Sequence, residues 1–179
     1  VSRLPVREAL RELAGEGLVT LERDVGARVA PLDHAELIEV YLLRETIEPM
    51  MAAAAARRIT EEEVAEIREI DGRSAPAVKT DDVPAYLDID RDFHTAVLAA
   101  ARMPRAMAVV QGLRQTAERY RWRYSSLISS LNRSAAEHEM LTDALERRAP
   151  EDASAIYRIH IRRTRTTLAA HPELFAPED

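Results

Sequence analysis

DVPAYLDIDRDFHTAVLAAA, residues 82–101, is the stretch from which the rest of the chain is read. Its period predicts a helix from about Asp82 to Ala101. Asp90 and His94 stand four positions apart, so a helix puts a carboxylate and an imidazole on one face, one turn from each other. His138 and His160 each fall in the interior of a later helical pattern. Three helices packed as a bundle can aim all four groups at one point, and such a point is a divalent-metal site.

A lone buried histidine is ordinarily satisfied by a hydrogen bond. Four candidates on facing helices instead point to an ion, because unpaired polar groups in a core are costly. The chain has no cysteine, so its ligands are limited to nitrogen and oxygen. That donor set makes zinc the first expectation and leaves nickel, manganese, iron and cobalt open. His34 and His171 are expected to be ordinary surface residues.

Working outward, residues from Asp33 onward show helical periods without strand signals. Asp33 suits the cap of a helix running to about Arg58, and Thr60-Glu-Glu-Glu63 is a capping box for the next. Gly72, Pro76 and Pro84 interrupt the period, so residues 72–82 are predicted to be a loop. Pro104 opens a helix expected to run to about Leu131. Ser134-Ala-Ala-Glu137 is a second capping box, which would place His138 just inside a helix start. Pro150 opens the last helix, which stops near His171-Pro172. Six helices result, an all-α antiparallel bundle over residues 33–179.

Residues 1–32 read differently. Ser2 to Gly17 predicts a short helix with Pro5 in its first turn and Gly17 at its C-terminal end. Val6, Ala9, Leu10 and Leu13 form its apolar stripe, and Arg3, Arg7 and Arg11 repeat every four residues on another face. Leu18–Glu22 and Ala27–Ala30 are predicted strands of a hairpin whose turn, Arg23–Gly26, ends in glycine. A short helix followed by a β-ribbon is the second half of a winged helix-turn-helix. The boundaries expected are therefore 1–32 for a partial DNA-reading domain and 33–179 for a helical one.

The 179 residues, 46% hydrophobic and 31% charged, suit one good core or a domain with a fragment of another. A formal net charge of −6 excludes nucleic-acid binding through global charge, but not a small local reading element. Two Phe and one Trp leave a core of Leu, Ile, Val, Ala and Met. The longest apolar run, Met50 to Ala56, is too short to cross a bilayer, and no signal peptide is visible; a cytoplasmic protein is expected.

The segment Ser2-Arg3-x-Pro5-Val6-Arg7-Glu8-Ala9-Leu10-Arg11-x-Leu13-x-x-Glu16-Gly17-Leu18-Val19 closely resembles the recognition helix and following turn of GntR-family transcription regulators. Gly26-x-x-Val29-Ala30-Pro31-Leu32 looks like the wing of that family. Arg44-x-x-x-Glu48, Asp90-x-x-Phe93-His94, Glu137-His138 and His160 resemble the FCD effector domain of its FadR-type branch. The resemblance spans essentially the whole chain, and the order and spacing of the motifs make it specific. Relative to the family pattern, one or two helices expected before the recognition helix are absent. Leu4 replaces a threonine that can cap that helix, and Met103 replaces a common asparagine before Pro104. Without a further helix over it, the stripe Val6, Leu10, Leu13 is expected to lie open.

The resemblance implies a ligand-responsive, DNA-binding transcription regulator, acting as a homodimer on a pseudo-palindromic operator. It assigns Ser2, Arg3, Arg7 and Arg11 to DNA and Asp90, His94, His138 and His160 to the metal. It also implies that a small carboxylate effector binds beside that ion. Arg44, Tyr86, Arg119, Tyr120 and Asn132, with Tyr124, are candidate effector contacts. Arg44 has an equal alternative as an i,i+4 ion pair with Glu48. Two other functions stay open. A helical metalloenzyme, such as a metal-dependent hydrolase, would need a general base near the metal; Glu137 is adjacent to His138, but neighbouring helix positions diverge by about 100°, so it is expected to face away. The metal could also be purely structural, with a different effector or none.

Overall fold

The structure is a computed structural model that describes residues 3–23, 26–124 and 131–175, without the side chains of Arg3 and residues 131–134. Ser2 therefore lies outside the described residues, as do the side chains of Arg3 and Asn132. The order is α1 (Arg3–Gly15), β1 (Val19–Glu22), β2 (Gly26–Val29), α2 (His34–Arg58), α3 (Glu61–Gly72), α4 (Ser74–Thr80), α5 (Val83–Ala99), α6 (Pro104–Arg123), α7 (Leu131–Glu146) and α8 (Pro150–Ala169). A short 3-10 turn, Pro172–Phe175, follows. The bundle spans α2 to α8, and a helix and two-stranded hairpin precede it.

Capping chemistry sets several boundaries. The Asp33 carboxylate accepts from the Glu36 amide at 2.8 Å and opens α2. Thr60 and Glu63 close a reciprocal capping box at the start of α3. Asp82 accepts from the Ala85 amide at 3.1 Å and starts α5. Each satisfies amide donors that a helix start otherwise leaves unpaired.

Two expectations fail here. Residues 72–82 are not a loop: α4 occupies Ser74–Thr80. Pro76 sits in its first turn, where its missing N–H has no intrahelical acceptor to lose, so proline is tolerated. Asp81 then takes φ 53° and turns the chain into α5. The second is the capping box at Ser134, because α7 already begins at Leu131 and Glu137 spends its carboxylate elsewhere. His138 thus lies in the second turn of α7. The described part of α6 ends at Arg123, and residues 125–130, through which it was expected to continue, lie outside the described residues.

α2 is the central helix and packs most extensively on α8, with α6, α5 and α7 around it. Leu37, Tyr41, Met51, Ala52, Ala55 and Ala56 bury one side of α2 against Phe93, Val97, Leu98, Leu141, Leu145, Tyr157 and Ile161. The run Ala52–Ala56 supplies small side chains where helices meet closely. A smaller cluster of Ala77, Val83, Tyr86 and Leu87 seals α4 to α5.

The hairpin pairs Val19 with Val29 and Glu22 with Gly26 in antiparallel register. Gly17 adopts φ +73°, the left-handed conformation that ends α1 without a Cβ penalty. Leu10 and Leu13 are half-buried, whereas Val6 and Ala9 are exposed, so much of the α1 stripe lies open. No described helix is long and apolar enough to cross a membrane.

Candidate metal centre

Three helices converge at one end of the core. α5 presents Asp90 and His94 on one face, α7 presents His138 and α8 presents His160, all four buried. One ligand atom from each lies within 4.8 Å of all the others. His94 Nε2 is 3.1 Å from His160 Nε2 and 3.7 Å from Asp90 Oδ1. His138 Nε2 is 3.4 Å from the same oxygen. Metal–ligand bonds of ~2.1 Å place adjacent ligand atoms ~3.0–3.4 Å apart, so these spacings suit one shared ion.

Two of the atoms that face the cluster lack a partner, while His94 Nε2 and His160 Nε2 lie within hydrogen-bond distance of each other. Among the described residues, Asp90 Oδ1 and His138 Nε2 are buried without a hydrogen-bond partner. Most of the outward atoms, by contrast, are held; His94 Nδ1 is the exception, buried without a hydrogen-bond partner among the described residues. His138 Nδ1 is 3.2 Å from Asp71 Oδ1 on α3, and His160 Nδ1 is 2.8 Å from Glu137 Oε2. Arg163 donates to both Glu137 oxygens, at 2.8 Å from Nε and 2.7 Å from Nη2. Arg121 donates to Asp90 Oδ2 at 2.6 Å. Phe93 stacks on the His138 ring with centroids 4.2 Å apart. Carboxylates behind two imidazoles fix their tautomers with Nδ1 protonated, leaving Nε2 lone pairs aimed at the cluster, the arrangement of a metal-ligating histidine.

Electrostatics agree with that assignment at Asp90, His94 and His160 and run against it at His138. Burial is the largest influence on Asp90 and pushes its pKa up, but Arg121 and the neighbouring imidazoles reverse it, holding the group well below the ordinary carboxylate range. Burial drives His94 well below the usual imidazole value and lowers His160, so both are neutral ligands. His138 is also opposed by burial, yet the Asp71 and Asp90 carboxylates beside it raise it, so a cation bound here would have to displace that proton. Burial pushes the Glu137 carboxyl up as well, but His160 and Arg163 outweigh it and bring it to about 2.

Glu137 was expected to face away from this centre. It does diverge from His138, but the divergence points it at α8, where it meets the rear of His160. Asp71 and Arg121 carried no sequence signal, because their roles arise where helices cross. Glu137 and Arg163 had one: they flank His138 and His160 on the same two helices.

Beside the cluster lies a cavity lined by Tyr41, Arg44, Arg121, Ile161 and Thr164 together with Asp90, His94 and His160. About 10 Å³ is open to the centre of a water-sized sphere, room for roughly one water. Arg44 makes the expected i,i+4 ion pair with Glu48, its Nε 2.6 Å from Glu48 Oε1, and also faces the cavity. The Tyr41 hydroxyl is buried without a hydrogen-bond partner among the described residues.

The remaining candidate effector contacts whose side chains are described lie elsewhere. Tyr86 belongs to the α4–α5 apolar cluster. Tyr124 meets His171 at 3.2 Å, and His34 packs edge-on to Phe175. The Tyr120 hydroxyl sits against the Asp33 backbone and the Glu36 carboxylate, and Arg119 donates to the carbonyls of Gly17, Ala30 and Pro31. Neither Arg119 nor Tyr120 lines the cavity, because both are drawn to the start of α2 and the segment before it. On α1, Arg7 and Arg11 are exposed.

The sequence profile of the FCD domain matches residues 39–163, most of the chain and all four candidate ligands. The chain belongs to the GntR family of transcription regulators, in its FCD-domain branch. The HTH-type transcriptional repressor RspR of Escherichia coli K12 is 27% identical over 158 residues, covering 88% of this chain and 68% of the relative. The repressor GlaR of the same strain is 29% identical over 165 residues, covering 88% and 75%. The gluconate operon repressor of Bacillus licheniformis is 26% identical over 151 residues, covering 82% and 62%. Among solved structures, E. coli McbR/YncC superposes with a TM-score of 0.85 at 19% identity, covering 96% of this chain and 87% of that one. This FCD protein therefore shares its fold with McbR/YncC across nearly all its length.

Proposed function

We propose that the helical domain, residues 33–179, holds one divalent cation on Asp90, His94, His138 and His160, and that a small organic acid binds beside it to control operator binding. The reading rests chiefly on one observation: four buried donors within 4.8 Å, two of them unsatisfied, with carboxylates behind two of the imidazoles. Zinc is the leading ion for this nitrogen and oxygen set, with nickel, manganese, iron and cobalt as alternatives. The cation would supply positive charge and an attachment point for an anionic oxygen. Arg44 and Arg121 would meet a carboxylate with two further guanidinium forks, and Tyr41 would offer a hydroxyl.

The cavity admits about one water, so an organic acid must widen it to bind. That requirement links effector binding to a change in helix packing, as an allosteric response demands. The DNA contacts proposed are Ser2, Arg3, Arg7 and Arg11, in a two-fold dimer on an operator. The DNA-reading segment proposed is residues 1–32. The hydrolase reading loses its base, because Glu137 lies behind His160 and is held by Arg163.

The same small cavity favours a second reading, in which the ion is structural only. Native mass spectrometry with metal analysis, followed by thermal-shift screening of small organic acids, decides among these. We expect one metal per chain and stabilisation by carboxylates. Metal without any acid-induced shift supports the structural reading, and a chain that takes up no metal overturns both.

A further inference from the structure

Three consecutive residues of α6 hold three different parts of the molecule. Arg119 donates to Gly17 O at 2.9 Å, to Pro31 O at 3.3 Å and to Ala30 O, grasping the end of the α1 turn and the base of the hairpin at once. The Tyr120 hydroxyl meets Asp33 O at 3.0 Å and the Glu36 carboxylate, at the N-terminus of α2. Arg121 reaches Asp90, a candidate ligand, at 2.6 Å. Gln115, one turn earlier, adds a bond to Glu16 at 3.0 Å.

Successive helical residues diverge by about 100° and rise only ~1.5 Å, so these grips lie on different faces of a single turn. A helical turn is stiff. A shift of α6 at Arg121 is therefore felt at Arg119. The Arg119 side chain is largely covered, and its hydrogen bonds go to backbone carbonyls, with the Glu36 carboxylate 3.9 Å away, so it reports chiefly the position of the α1–hairpin segment. α1 itself buries little, which leaves such polar grips an unusual share of what orients it.

We propose that α6 is the lever between the two ends: Arg121 senses the Asp90 site, and Arg119 is the positioning residue that passes α6 movement to the DNA-reading unit. This deepens the regulatory reading above and rests on it for what occupies the site. The direction of the coupling is reciprocal, since whatever orients α1 through Arg119 also biases Arg121 against Asp90.

Amide hydrogen exchange of residues 3–23 and 26–32 tests the lever in the full chain, with zinc alone as the probe. Arg119→Ala should speed exchange in these segments about tenfold or more, because charge-assisted bonds to three carbonyls are lost, whereas Arg119→Lys should lie between it and the parent. In the parent, zinc should change exchange there; in Arg119→Ala, zinc should be taken up as before and leave these segments unchanged. A metal-independent arm uses Arg121→Met alone and combined with Arg119→Ala. The lever predicts that the Arg121 effect on the segments disappears once Arg119 is gone. Equal zinc effects in parent and Arg119→Ala, or additive effects of the two arginine substitutions, would overturn it. Absence of zinc uptake by mass would overturn the metal reading, and the substitution cycle would then judge the lever by itself.

Discussion

The two regions gripped by the C-terminal turn of α6 are built on opposite principles. At the candidate metal centre, Asp90, His94, His138 and His160 are buried among three helices, and most of their outward atoms have carboxylate or guanidinium partners from other elements. In the other region, α1 and the hairpin bury few side chains and are fastened by Arg119, Gln115 and the junction around Asp33. The first arrangement is over-determined and suits a site that must keep its shape. The second depends on a handful of polar contacts and suits a unit that must move. A regulator needs both, joined by something stiff.

Substitutions break or sharpen this contrast. The largest effect belongs to Asp90→Ala, which removes a ligand and leaves the Arg121 guanidinium without its carboxylate. We expect about 3–5 kcal/mol of destabilisation in urea denaturation, together with loss of bound metal. Leu145→Ala, at a fully buried position, should cost ~2–5 kcal/mol, whereas Leu10→Ala in α1 should cost under ~1 kcal/mol. Equal costs at the two leucines would erase the contrast. Glu137→Gln keeps the shape but weakens the acceptor behind His160, and metal affinity by competitive chelation should fall about 10–100-fold. Thr60→Ala, a cap outside both regions, should cost ~1 kcal/mol and leave metal content unchanged.

Much of the bundle was legible before any coordinates. Asp33 and the Thr60–Glu63 box mark helix starts because a polar side chain there meets unpaired amides, a purely local matter. Asp90 and His94 were legible for the same reason, since four-residue spacing fixes a shared face. His138 and His160 needed the family resemblance to be placed opposite them. α4 was missed because Gly72 and Pro76 look like breakers until Pro76 is seen in a first turn. Arg119 and Tyr120 looked like effector contacts, yet the crossing of α6 with the α2 start sends them to Gly17, Ala30, Pro31, Asp33 and Glu36. Such destinations depend on how helices cross, which periodicity in one helix does not encode.

The central claim is that four side chains from three helices share one cation. Metal analysis of the purified chain, before and after chelation and alongside His138→Ala, tests it most directly. The account predicts about one divalent ion per chain, a lowered melting temperature after chelation that zinc restores, and no stoichiometric metal in His138→Ala. A parent chain that melts identically with chelator and with zinc, and carries no metal at any stage, would contradict it.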